Sequence, residues 1–100
     1  MANRRKAEIE ENANRITNWL VDNRVAFESK GIPEDSLITG VGIKVVDDAR
    51  SAIDHLESHE VVVRDPEALT RPPRFTVKTG RNWAATRDKL IGAGAAGGSK

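Results

Sequence analysis

Residues 45–81 read VVDDARSAIDHLESHEVVVRDPEALTRPPRFTVKTGR, and the spacing of their apolar residues changes once along the stretch. In its first part the apolar residues recur every three or four positions, as on one face of an α-helix: Val46, Ala49, Ile53 and Leu56. After Glu60 a period of two fits better, which is the period of a strand with one buried face. The stretch therefore predicts a helix that leads directly into an antiparallel hairpin.

The predicted hairpin has one apolar face and one basic face. The residues expected to face the core are Val61, Val63, Phe75 and Val77. The residues expected on the opposite face are Arg64, Arg74, Thr76 and Lys78. Between the strands, residues 65–73 contain three prolines, which cannot donate ladder hydrogen bonds, so we expect an open and exposed loop there.

Two helices are predicted ahead of this stretch. A first helix should run from about Lys6 to Asn23, because Ile9, Ala13, Ile16 and Leu20 form one apolar stripe. Gly31 and Pro33 interrupt the pattern, and proline suits the first position of a helix, so a short second helix is expected from Pro33 through Thr39. The glycines at 40 and 42 then allow a tight turn into the third helix.

A last helix is expected after the hairpin, with Asn82 as its N-cap. Its apolar edge of Trp83, Leu90 and Ile91 could close over the first helix. The predicted organisation is a basic N-terminal arm at 1–6, one α+β domain at 7–91 and a flexible Gly/Ala tail at 92–100.

Composition restricts the classes of protein that fit. One hundred residues suffice for one small domain, and the absence of cysteine excludes disulfides, thiolate metal clusters and thiol nucleophiles. No window is apolar enough for a signal peptide or a membrane span, so we expect a cytoplasmic protein without a membrane partner.

Charge is unevenly distributed along the chain, although the net charge is only +1. Residues 31–60 hold two basic and seven acidic side chains, whereas residues 61–100 hold eight basic and three acidic ones. Such segregation can produce a one-sided positive surface that attracts polyanions.

No motif in the chain indicates catalysis. The sequence lacks GxSxG and the phosphate-binding GxxxxGK[ST], and Asp47 and Asp48 point in different directions on a helix. His55 and His59 have the spacing at which two imidazoles can share a metal, but no third ligand stands at a telling distance. We therefore expect no enzyme activity, no cofactor, no resident metal and no small-molecule substrate.

The order of elements, three helices and then a basic hairpin, resembles the winged helix-turn-helix family over about residues 7–81. The run ARSAIDHLESHEVVVRDP followed by RPPRFTVKTGRNW is similar to the winged-helix modules at the C-termini of large ATPases in phage and plasmid replication or phage-defence systems. In the family, the third helix usually enters the major groove and the hairpin, called the wing, lies along the backbone or minor groove.

The resemblance implies that the chain binds double-stranded DNA, with roles in replication or regulation. The family's DNA-contacting positions can be transferred to this sequence. Those that would face the major groove are Lys44, Arg50 and Ser51, and those that would contact DNA from the wing are Arg64, Arg71, Arg74, Lys78 and Arg81. The sequence departs from the pattern at Asp47, Asp48 and Asp54, because carboxylates on a groove-facing helix repel phosphate. Binding should therefore be led by the wing, with weak specificity and a log–log salt slope of roughly −3 to −5.

A second interpretation is a protein-interaction module that docks through its acidic third helix onto a larger partner. The acidic helix favours this function, whereas the basic wing favours DNA binding. The basic residues can also simply keep an exposed hairpin edge soluble. A homodimer through the first and last helices is a further expected partnership, with Trp83, Leu90 and Ile91 as its surface.

Overall fold

The computed structural model describes residues 2–66 and 74–92, with side chains from Lys6 onward. Its elements are, in order, α1 (Ala2–Asp22), α2 (Arg24–Lys30), β1 (Ile32–Pro33), α3 (Glu34–Val41), α4 (Val46–Ser58), β2 (Val62–Pro66), β3 (Phe75–Thr79) and α5 (Trp83–Gly92). The predicted α+β class is confirmed within these residues.

The core lies between α1 and α4, which pack along each other. From α1 it receives the expected Ala13, Ile16 and Leu20, all buried. From α4 it receives Ala49, Ala52, Ile53 and Leu56. The expected core position of Val46 is wrong, because this side chain stands 45% exposed at the first turn of α4.

The connection from α3 to α4 is set by two glycines. Gly40 lies inside α3, and a Cβ at this position would be only 2.5 Å from Cζ2 of Trp19 on α1. Gly42 ends α3 in the left-handed conformation, with φ of 85°. Pro33 is the N-cap of α3 and not its first helical residue, one position away from the prediction.

The described strands form one antiparallel sheet in the order β1-β3-β2. Ile32 of β1 is opposite Val77 of β3, and Arg64 of β2 is opposite the same Val77 from the other side. The sequence did not predict β1, because a two-residue edge strand that contains a proline has no periodic pattern.

In β2, the prediction of which residues face the core is wrong by one position. Val62 is fully buried, whereas Val63 is 42% exposed and lies opposite Lys78. Because opposite residues of an antiparallel pair share a face, Arg64 faces inward with Val77. Val61 is buried as expected, but it precedes the strand. The three consecutive valines 61–63 carry no alternation, so the sequence did not define which of them points inward.

The first predicted helix corresponds to α1, and a further short helix, α2, follows it. The last helix packs on both. The buried Trp83 of α5 meets the ring of Phe27 of α2 edge-on, with centroids 4.7 Å apart. Leu90 is partly buried against the core, and Ile91 is exposed. The expected closure of α5 over the first helix thus involves α1 and α2 together.

At the N-terminus α1 begins at Ala2, four residues before the predicted start at about Lys6. The predicted loop beyond Pro66 and the tail beyond Gly92 lie outside the described residues. Within the part of the chain that is described, no helix has the length and apolar character needed to cross a membrane.

Candidate interaction surface on α4 and the hairpin

The face of α4 that points away from the core is mainly acidic. It exposes Asp47, Arg50 and Asp54, with Ser51 half-buried at its edge, as the sequence predicted. Asp48 lies on the flank next to the first turns of α1. Among the described residues, neither Asp47 nor Asp48 has a hydrogen bond or an ion pair. Their carboxylates are therefore available to an external cation.

Arg64, expected to be a wing contact, is held inside a group of carboxylates. Its Nε donates to Oε2 of Glu34 at 2.7 Å. Its Nη1 donates to Asp54 and, at 3.4 Å, to Oε1 of Glu57. Its Nη2 donates to the carbonyl of Arg50 at 3.1 Å. One guanidinium thus connects β2 with the start of α3 and with α4.

The environment of Arg64 fixes its charge. Burial alone lowers its pKa, but hydrogen bonds to Asp54 and Glu34 outweigh the burial and hold the pKa above the ordinary value for arginine. The side chain is only 14% exposed, and its partner Glu34 is buried. Because Arg64 already neutralises protein carboxylates, little of its positive charge is available to a phosphate outside the protein.

Two other predicted wing cations also have acidic partners. Nζ of Lys78 lies 2.7 Å from Oδ2 of Asp65, and Nε of Arg81 lies 3.1 Å from Oε1 of Glu60. These exposed ion pairs contribute little stability, yet each brings a negative charge beside the cation and weakens the positive field there. Arg74 is exposed and has an interaction of its own, whereas Arg71 lies outside the described residues.

The predicted cations do not converge on one face. Arg64 points to the inner side of the sheet and Lys78 to the outer side. Lys44 lies just before the start of α4. Arg81 contacts Glu60, which lies just beyond the end of α4, so Lys44 and Arg81 are separated by the length of this helix, about 20 Å. Arg50 and Arg64 are close to each other, because both are near the buried Glu34.

Some residues that shape this surface were not selected as site residues from the sequence. Glu34 and Glu57 hold Arg64, and Glu34 is 30 residues away from it in the chain. No local pattern reports such a distant pair. Val45 and Val46 are 54% and 45% exposed at the start of α4, beside Asp47 and Asp48. Two adjacent valines at a helix start were a usable signal, since one helix face cannot bury both.

The start of α4 therefore exposes apolar and acidic side chains around its first turn, with Asp47 on the outer face and Asp48 on the flank beside α1. Val45 and Val46 offer contact area, and Asp47 and Asp48 offer negative charge. Lys44 and Arg50 are also exposed at this end of α4, so charges of both signs lie close together there. We call Val45, Val46, Asp47 and Asp48 the α4 entry patch.

Comparison with known proteins identified no relative of this chain: no protein family, no curated protein and no solved structure matches it.

Proposed function

We propose that the chain is a winged-helix domain that works as a protein-interaction module. The order of its elements supports the winged-helix assignment: α3, a turn and α4 correspond to the helix-turn-helix, and β2 and β3 correspond to the wing. The short β1 beside β3 completes a three-stranded sheet next to the helices. The assignment is an argument from architecture, and the function has to come from the surface.

The partner is a lysine- or arginine-rich segment of a larger protein, and it docks on the α4 entry patch. The observation that carries this proposal is that Asp47 and Asp48 are exposed and without partners among the described residues, on the helix that would otherwise meet DNA. Charge complementarity selects a cationic segment, and the neighbouring Val45 and Val46 favour an apolar residue within it.

A variant pair tests this docking directly. The probe is a flexible lysine/serine peptide with a central leucine, and the charge control is its glutamate counterpart. Asp47→Asn with Asp48→Asn should weaken binding roughly fivefold, since each exposed ion pair is worth a fraction of a kcal/mol. Glu11→Gln with Asp22→Asn changes the same charge on the exposed face of α1 and should leave binding unchanged.

Measurement by isothermal titration calorimetry at low and moderate salt completes the test. Binding of the cationic peptide should weaken as salt screens the charges. Equal losses in the two double variants would mean that the peptide responds only to total charge, and the docking proposal would then be wrong.

DNA binding is the second candidate function, because basic residues are exposed at the start of α4 and on the hairpin. Lys44 just before α4 and Arg50 in its second turn are both exposed. Arg74 just before β3 and Lys78 within β3 are exposed as well. These four cations could meet a phosphate backbone if Lys78 and Arg74 exchange their contacts within the protein for phosphate.

Fluorescence anisotropy of a labelled random-sequence duplex at two salt concentrations tests this second candidate. Salt-sensitive binding that disappears in Arg74→Glu with Lys78→Glu would favour DNA as the partner. Absence of binding at low salt would exclude a wing-led DNA contact and leave the protein-interaction function.

A further inference from the structure

His55 and His59 form a compact pair near the C-terminal end of α4. The two rings have centroids 4.5 Å apart and are tilted by 58°. Two imidazoles four residues apart on a helix can point their nitrogens at one ion, and rings already this close need little rearrangement to do so. The pair lies away from the α4 entry patch, which is at the other end of the helix.

The pair is accessible from outside the protein. Both histidines line an open groove of about 860 Å³ between α1, the end of α4 and α5. His55 is half-buried in the wall of the groove, and His59 is exposed. Among the described residues, no side chain hydrogen-bonds to either ring. The nitrogens are therefore free to bind an ion that enters the groove.

The backbone that carries the two rings is fixed from several sides. The amide of His59 donates to the carbonyl of His55 at 3.2 Å, and Oγ of Ser58 donates to the same carbonyl at 2.7 Å. Nδ2 of Asn82 donates to the carbonyl of His59 at 3.1 Å. Because the backbone is held in this way, binding an ion orders only the two imidazole side chains, which keeps the entropic cost low.

We propose that His55 and His59 bind one divalent first-row transition-metal ion, with Zn²⁺, Ni²⁺ and Cu²⁺ as the ions that imidazole prefers. The described residues hold no group of three or more His, Cys, Asp or Glu side chains able to surround a metal. The protein therefore supplies two ligands, and the remaining coordination positions are filled by water. This donor set gives a reversible site and not a structural metal centre.

Titration with Zn²⁺ tests the proposal, read out by NMR of the imidazole rings and by calorimetry. We expect one ion per chain and simultaneous shifts of both rings. Either His55→Gln or His59→Gln should reduce the affinity by about a hundredfold, because the second imidazole acts at high effective concentration. Thr86→Ala, on the α5 wall of the same groove, serves as the control that leaves both rings in place.

Competition by protons provides a second readout. A proton and a metal ion occupy the same imidazole nitrogen, so Zn²⁺ binding should release protons and weaken on acidification. Circular dichroism verifies that each variant is folded. Independent responses of the two rings, unchanged affinity in either single variant, or no binding at millimolar Zn²⁺ would overturn the proposal.

Discussion

Arg64 is the residue on which the relation between the sheet and the helices depends most. Its guanidinium faces the buried Glu34 at 2.7 Å and also contacts Asp54 and Glu57 on α4. Removing it leaves a buried carboxylate without its closest partner, and such a loss is more costly than the loss of a surface ion pair. The residue thus stabilises the fold, although the sequence predicted a role in binding.

We expect Arg64→Met to lower the free energy of unfolding by about 2–3 kcal/mol. Urea-induced unfolding followed by circular dichroism measures this change. The double variant Glu34→Met with Arg64→Met should recover part of the loss, because no charge then remains buried without a partner. If Arg64→Met lowers the free energy of unfolding by less than about 0.5 kcal/mol, the contacts of Arg64 contribute no more than an exposed ion pair does.

Residue-level patterns predicted the helices better than the hairpin. Ala13, Ile16 and Leu20 are buried as their spacing required, since the repeat spans several turns. In β2 the valines at 61–63 fit either alternation, so the pattern could not choose between Val62 and Val63. The choice depends on the pairing of Arg64 with Val77 and on its contact with Glu34, both distant in the chain.

At the scale of elements, α5 is attached to α2 by one carboxylate. Oε2 of Glu28 accepts hydrogen bonds from Nε1 of Trp83 at 2.6 Å and from Nη1 of Arg87 at 2.8 Å. The bond from Trp83, together with that from Arg87, holds the pKa of Glu28 below its ordinary value. The ionised form of Glu28 is therefore favoured in the folded state. This preference stabilises the fold at pH values above the ordinary pKa of a glutamate.

This attachment predicts a specific loss of stability in acid. The contribution of Glu28 should disappear as the pH falls from about 4.3 through the lower pKa of the folded state. Glu28→Gln should cost about 1 kcal/mol at neutral pH and should flatten the decline of unfolding free energy below that pH. Urea unfolding at a series of pH values measures it. Parallel pH profiles for the two proteins would contradict the prediction, and Glu11→Gln is the exposed control.

The contact of α3 with α1 depends on the absence of a side chain at Gly40. An added methyl group would lie 2.5 Å from Cζ2 and 2.8 Å from Cε2 of Trp19, so the Trp19 ring or one of the two helices would have to move. Gly40→Ala should therefore lower the unfolding free energy by about 1–2 kcal/mol, despite the better helix propensity of alanine. Thermal unfolding compares it with the exposed Thr39→Ala, which should be nearly neutral. A more stable Gly40→Ala would mean that the two helices are not in tight contact.

Across the described part of the molecule, charges are separated less than the sequence indicates. The excess of basic residues after residue 60 suggested a positive wing, but the described cations Arg64, Lys78 and Arg81 each have a carboxylate beside them. The acidic excess of residues 31–60 persists at the surface, because Asp47 and Asp48 have no partner among the described residues. Local patterns were sufficient to predict the order of the longer elements, although not α2 or β1. The surface charge depends on tertiary contacts that those patterns do not contain.

The central claim is that the α4 entry patch receives a basic protein segment, and NMR mapping tests it most directly. Backbone amide resonances of the chain would be followed while the lysine/serine peptide and a DNA duplex are titrated separately at the same salt concentration. We predict that the peptide shifts the resonances of residues 44–51 and that the duplex leaves them unchanged. Peptide-induced shifts scattered over the surface, or duplex-induced shifts concentrated on residues 44–51, would contradict the claim.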